Sequence, residues 1–210
     1  MGLLAICDND FLAKLTRFGL LNSFESRIRR ERGRISYQPS IEGTFDLQNK
    51  VGSNLKLPKF EHRDQLRKFV EKHTSISLDD CGKRLVTCCY MVNGIDVGDA
   101  VWLAAAACDS NSVVYTHDKN ALRAVAREKA CTQVNNRLSG RVRCLEQEML
   151  MQIDDVGFAV VRAGVAAEPE ADKAMINAFC QPNATRAAAK TKLIEYIEKL
   201  RAETGNLLGQ

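Results

Sequence analysis

Short apolar runs of strand length alternate along this chain with longer stretches in which apolar residues recur at helical spacing. Leu3 to Cys7 is a continuous apolar run, the pattern of a strand buried on both faces of a parallel sheet. It ends in Asp8-Asn9-Asp10, and Phe11 to Leu21 then predicts a helix whose acidic and Asn residues sit at its start, where they cap it. Arg34-Ile35-Ser36-Tyr37-Gln38-Pro39 predicts a short strand closed by proline, with Glu42 or Asp46 just past its end. Asn49 to Phe60 is turn-rich and polar, a surface excursion. His62 to His73 places Leu66, Phe69 and Val70 on one helical face. A further helix, capped within Ser77 to Cys81, runs through Leu85, Val86, Cys88, Cys89 and Val92 until Asn93-Gly94 stops it.

The stretch from Gly94 to Ala107 organises the rest. A glycine-punctuated turn delivers Asp99 to the first turn of a helix that is apolar all round, and such a helix belongs in a core. Val113 to Thr116 is a β-favouring run leading into His117-Asp118, and Asn120 to Cys131 is an amphipathic helix. Arg141 to Leu145 reads as another strand and Glu146 to Met151 as a helical turn. From Asp154 the pattern changes. A small, apolar Gly157 to Val165 precedes a helix from Glu168 to about Cys180, a break at Pro182-Asn183, and a last amphipathic helix from Thr185 to Glu203 with Ala188, Leu193, Ile197 and Leu200 along one side. Strands alternating with helices predict an α/β fold, a three-layer αβα domain over residues 1–153 with a mainly parallel central sheet. Residues 154–210 form a small helical C-terminal extension in this reading.

Composition changes the picture little. The chain has 210 residues, 45% of them hydrophobic and 27% charged, with a formal net charge of +4. That suits one ordinary core, and the charge is weak support for a nucleic-acid partner. Its eight cysteines form no Cys-x-x-Cys pair, and the three histidines complete no zinc spacing, so the thiols read as small hydrophobes. His62 and His73 receive no chemistry. With no leader-like segment, no myristoylation signal and no run of transmembrane length, the expected setting is a reducing cytoplasm without membrane contact. The densest basic segment, Glu25 to Arg34, reads first as a solvated helix face. Its alternative reading is a phosphate-contacting edge through Arg27, Arg29, Arg30, Arg32 and Arg34, with Arg123 and Arg127 as further candidates.

The acids carry the chemistry. Asp8 and Asp118 each follow a strand, Glu42 follows another, and Asp99 opens a helix, so each stands at an element end. Any one of them alone is explained as a cap. Together, at the edge where open α/β sheets place ligands, they would raise one another's pKa values unless a cation neutralises them. Hard oxygen donors suit Mg²⁺ or Mn²⁺, and such ions support hydrolysis at phosphorus.

These residues resemble the PIN-domain family of metal-dependent ribonucleases from Leu3 to about Ile153. The family's opening strand and acid are matched by Asp8-Asn9-Asp10-Phe11-Leu12, with Asp10 standing where Asn is usual. Its helix-opening acid is matched by Asp99-Ala100 through Ala106, and its strand-end signature by Thr116-His117-Asp118. Val142 to Leu150 resembles the closing strand and short helix. The resemblance implies Asp8, Asp99 and Asp118 as metal ligands and Glu42, or Asp46, as the remaining catalytic acid. It also implies Thr116 as a hydrogen-bonding support, with Asn9 and Asp96 beside the site, Asp96 chiefly shaping its turn.

The implied activity is endonucleolytic hydrolysis of single-stranded RNA, in a toxin of a toxin–antitoxin pair or in RNA processing. A cognate antitoxin, another protein or a second copy of the chain would then dock on the C-terminal helices. The same opening residues also fit haloacid-dehalogenase-type phosphatases, but that family wants an acid where Leu103 stands. A third alternative is a catalytically degenerate PIN-like domain that binds RNA or protein. It is distinguished by whether the second acid reaches Asp8.

Overall fold

The computed structural model describes residues 2–48, 54 and 56–209. Most of the expected surface excursion between Asn49 and Leu55 therefore lies outside the described residues. Five strands form one sheet: β1 (Leu4–Cys7), β2 (Arg34–Tyr37), β3 (Thr74–Ser75), β4 (Ser112–Thr116) and β5 (Val142–Cys144). Their order is β3-β2-β1-β4-β5, and every pairing is parallel. The register sets Cys7 beside Tyr37 on one side and Tyr115 on the other, so the C-terminal ends of the three central strands are level.

Period-two alternation sends successive side chains into two different cores. Ala5, Cys7, Ile35, Tyr37 and Tyr115 face one. That core is completed by α1 (Asn9–Arg17), α2 (Leu21–Arg30), α4 (Phe60–Lys72), α9 (Leu145–Asp155), α10 (Phe158–Ala166) and α11 (Lys173–Phe179). Ile6, Val114, Val142 and Cys144 face the other, covered by α5 (Asp80–Tyr90), α6 (Val97–Cys108), α7 (Lys119–Arg127) and α8 (Thr132–Leu138). The result is a three-layer αβα arrangement. α6 is the buried helix its sequence predicts, with Ala100, Trp102, Leu103, Ala104 and Ala106 all inaccessible to solvent.

The C-terminal segment joins both cores. α10, α11 and the first half of α12 (Arg186–Thr204) contribute Val161, Val165, Met175, Phe179 and Leu193 to the first. The second half of α12 sends Ile197 and Leu200 to the other, and Leu208 bridges Val142 in parallel at the sheet edge. Among the described residues no helix is long and apolar enough to cross a membrane.

Several boundaries differ from expectation for local reasons. The helix expected from Phe11 to Leu21 is two, because Gly19 adopts φ 69° and the Gly19 and Leu20 amides close onto Thr16 and Leu15. A four-residue helix, α3 (Ile41–Thr44), holds Glu42; the helix expected from Asn120 to Cys131 ends at Arg127, and α8 follows beyond Cys131 where none was expected. The buried residue opening the apolar stripe of α12 is Ala189 rather than Ala188.

Candidate functional site

Asp8 is carried out of the core by β1 and becomes the N-cap of α1, its side chain accepting from the Asp10 amide. One strand away, Thr116 closes β4 and donates through Oγ1 to Asp8 Oδ2 at 3.2 Å. The same hydroxyl accepts from the Asp118 amide at 2.9 Å, while the His117 amide reaches Asp8 Oδ2 at 3.5 Å. Asp118 in turn caps α7, its Oδ1 accepting from Ala121 at 2.8 Å. Thr116 is thus the buried link from the Asp8 carboxylate to the backbone of Asp118.

Asp99 arrives from the opposite direction in sequence. Asp96 caps α6 by accepting from the Asp99 amide at 2.8 Å, and Asp99 Oδ2 accepts from the Asp96 amide at 3.1 Å. This capping box is what the Gly94 turn sets up. Asp99 Oδ1 also accepts from Nε1 of Trp102, the chain's single tryptophan, at 3.2 Å. Gln38, just past β2, donates to the Gly98 carbonyl at 3.1 Å and ties this turn to the same sheet edge.

The electrostatics show that these acids sense one another. Burial lifts Asp8 from its ordinary 3.8 to about 7, with the charge of Asp10 adding to it. Asp99 is also lifted to about 7, first by burial and then by the charges of Asp118, Asp96 and Asp8, against the pull of the Asp96 amide. Carboxylates so placed hold protons near neutrality or hold a cation instead.

The donor set fits Mg²⁺ or Mn²⁺ in chemistry: three carboxylates, and beside them Asn9 Oδ1, a buried oxygen with no hydrogen-bond donor. In this conformation the carboxylates serve their helix caps. Among the described residues, the one trio of possible ligands with all its atoms within 4.8 Å of one another is Asp79, Cys81 and Cys108, away from these acids.

Glu42 does not join the three. It is exposed on α3, accepts from Gln48 Nε2 at 3.0 Å, and is felt electrostatically by Tyr37. Asp46 is exposed as well, in a left-handed turn at φ 52°. The nearest link from this loop to the site is Asn9 Nδ2 donating to Ser40 Oγ at 3.1 Å.

The basic segment is corrected more sharply. α2 runs back from the carboxylate edge, so Arg29, Arg30, Arg32 and Arg34 lie at the N-terminal edge of the parallel sheet, opposite the acids; the Arg34 amide bonds Leu3 O at the start of β1. Arg27 faces the core. It is buried, paired with Glu148 and with Asp155 at 3.3 Å, and lies over the Phe24 ring. Arg127 turns to Glu128, while Arg123, paired with Glu203, stays near the site.

Of the cations that flank the acids, the sequence singles out Arg123 but not the lysines. A cleft of about 510 Å³ beside Asp118 is lined by Lys14, His117, Lys119, Arg123 and Lys173. Lys14 pairs with Asp172 at 2.5 Å and Lys119 with buried Glu146, while Lys173 is exposed. Burial, helped by Lys14, lowers the His117 pKa below its ordinary value, and Nδ1 has no hydrogen-bond partner. Lys14 and Lys173 are far apart in sequence, and only the docking of α11 against α1 brings them together. No protein-family model matches this chain, and neither a curated protein nor a solved structure does.

Proposed function

We propose that this chain is a divalent-metal-dependent ribonuclease of PIN-like type that cleaves phosphodiester bonds of single-stranded RNA. The observation that carries the reading is the Thr116-linked pair Asp8 and Asp118, with Asp99 close enough for the three charges to be felt together. Asp8, Asp99 and Asp118 would hold Mg²⁺ or Mn²⁺, which when bound supplies a more acidic water and offsets charge on phosphate oxygens.

The chain's own residues do the rest. Thr116 orients the Asp8 carboxylate and holds the Asp118 backbone through one hydroxyl. Lys173, Arg123 and Lys119 supply the positive wall against which an RNA backbone would lie. His117, its pKa lowered by burial, lines this cleft with Nε2 3.6 Å from Asp172, and that nitrogen is the one placed to take or give a proton. The C-terminal segment contributes directly, since Lys173 and Asp172 shape the cleft.

The position of Glu42 favours a second reading, a PIN-like domain that binds RNA without cutting it, because the fourth acid turns to Gln48 instead. The phosphatase alternative gains no support: Leu103 is core, and Asp10 pairs with Lys56 at 3.0 Å on the surface. The deciding experiment incubates labelled single-stranded RNAs with wild type and Asp99→Asn in Mn²⁺, Mg²⁺ or chelator. Cleavage that needs metal and is lost in the variant supports the nuclease. RNA retention by both proteins without cleavage supports the binding domain.

A further inference from the structure

A second constellation lies at the far end of α6. Cys108 ends that helix, and Asp79 and Cys81 open α5, which packs along it. One ligand atom from each of the three lies within 4.8 Å of the other two. The Cys108 thiol donates to Cys81 Sγ at 3.3 Å, so a proton now occupies the space between the sulfurs. We propose that Asp79, Cys81 and Cys108 form a binding site for a thiophilic divalent cation, Zn²⁺ by preference, that staples the start of α5 to the end of α6.

Geometry favours a cation over a covalent bond. A tetrahedral Zn²⁺ with bonds of about 2.3 Å to sulfur sets its two sulfurs about 3.8 Å apart, a few tenths of an ångström from the present separation. A disulfide at about 2.0 Å needs an approach of more than an ångström. Asp79 uses Oδ1 to cap α5 at the Gly82 amide, 2.7 Å away, which leaves Oδ2 as the third donor. A cavity of about 240 Å³ lined by Asp79 and Cys108 opens beside the trio, so water completes the shell and the ion has a way in.

Charge balance points the same way. Two thiolates and a carboxylate exceed the charge of Zn²⁺ by one, and Arg137 supplies the compensating positive charge. Its Nη1 lies 3.9 Å from Cys81 Sγ and is held by the Ala107 carbonyl at 3.3 Å. The site is also separate from the carboxylates. From Asp99 to Cys108 α6 rises about 14 Å, and thiolates select softer metals than hard carboxylates do.

The test uses the full-length, reduced, chelator-stripped protein titrated with Co²⁺. One equivalent is expected to give the thiolate-to-cobalt charge-transfer band and the intense visible bands of tetrahedral Co²⁺, both abolished by one equivalent of Zn²⁺. Cys81→Ser and Cys108→Ser should each lose the charge-transfer intensity. Asp79→Asn should bind at least tenfold more weakly, and substitution of its exposed neighbour, Asp80→Asn, should leave the spectrum unchanged. Circular dichroism of the metal-free variants must match wild type, so that lost binding is not lost fold; for a variant that fails this, Co²⁺ protection of Cys81 and Cys108 from alkylation in wild type is read instead. The proposal is overturned if wild type gives no such band, or if the band survives in both serine variants. It is equally overturned if a mild disulfide oxidant converts the pair quantitatively to a Cys81–Cys108 bond that excess Zn²⁺ does not prevent.

Discussion

Replacing Asp99 by Asn should stabilise the metal-free protein at alkaline pH and weaken it slightly in acid. Asp99 titrates near 3.8 when unfolded and at about 7 when folded. Between those values the native state keeps a proton that the unfolded state has released, so wild-type stability is full below about pH 4 and falls as pH rises through 7. Roughly three pH units at about 1.36 kcal/mol each set an upper bound near 4 kcal/mol. Asp99 is buried, and the effective screening that charges meet inside a folded protein brings the working figure to about 2 kcal/mol.

Asn keeps one oxygen for the Asp96 amide or for Trp102 Nε1 and sets an –NH2 against the other donor. Protonated Asp99 keeps acceptor lone pairs on its –OH oxygen that the –NH2 of Asn lacks, so in acid the variant should be weaker by about 1 kcal/mol, the cost of one hydrogen bond. Urea unfolding in excess chelator, followed by circular dichroism at about pH 4 and pH 8, measures the difference directly, and every other titrating group cancels between the two proteins. The expected result is that the variant gains about 2 kcal/mol on wild type between about pH 4 and pH 8, a change that starts near pH 4 and levels off above about pH 7. Parallel pH profiles, or a variant weaker at pH 8, would refute the account of Asp99 as a carboxylate held under repulsion. Adding Mn²⁺ should reverse the order, since an ion at 100 times its Kd stabilises the native wild type by about 2.7 kcal/mol and has lost a ligand in the variant.

Three other outcomes follow from the packing. Arg27→Met should cost about 3–5 kcal/mol in urea unfolding, because it strands buried Glu148, and Arg27→Met combined with Glu148→Met should recover much of the loss. Gly164→Ala should destabilise by about 1–3 kcal/mol, since a Cβ there would stand 2.1 Å from the Phe18 carbonyl oxygen where α10 crosses the end of α1; an unchanged thermal midpoint would contradict that contact. In RNA retention assays across salt concentrations, Lys173→Glu should weaken binding and reduce the logarithmic salt slope by about one, whereas Arg34→Glu at the opposite sheet edge should leave both unaltered.

What could be read in advance divides along a physical line. Asp8, Asp99 and Asp118 stand next to apolar segments that are short, bounded and buried, and once those segments form a parallel sheet, the acids at their ends have one place to go. The three-layer fold follows from the same segments. The basic residues have no such constraint. A run of charges from Glu25 to Arg34 does not reveal which edge of the sheet it reaches; the direction of α2, fixed by packing Leu21, Phe24 and Ile28 under the sheet, decides that. Arg27 did carry a signal, since it lies on that same helical face with Phe24 and Ile28. A charge there implies a buried partner, which Glu148 supplies from beside Leu145 and Met149 on α9.

Glu42 is a different case. Ile41 and Phe45 on either side of it bury completely, and Glu42 turns out to Gln48; that this apolar pair docks so, rather than carrying Glu42 toward Asp8, is a tertiary outcome that no local pattern encodes. The same limit hid Lys14 with Lys173, and Cys81 with Cys108. Both pairs form only where one helix terminus is docked on another, and at such junctions residues remote in sequence acquire joint chemistry. Helix termini therefore carry the chemistry at both ends of α6: at its start, carboxylates held as caps on a sheet edge, and at its end, thiols gathered by the packing of α5. If both readings hold, one buried helix keeps a hard-donor site and a soft-donor site about 14 Å apart, and the two can be filled and emptied independently by choice of metal.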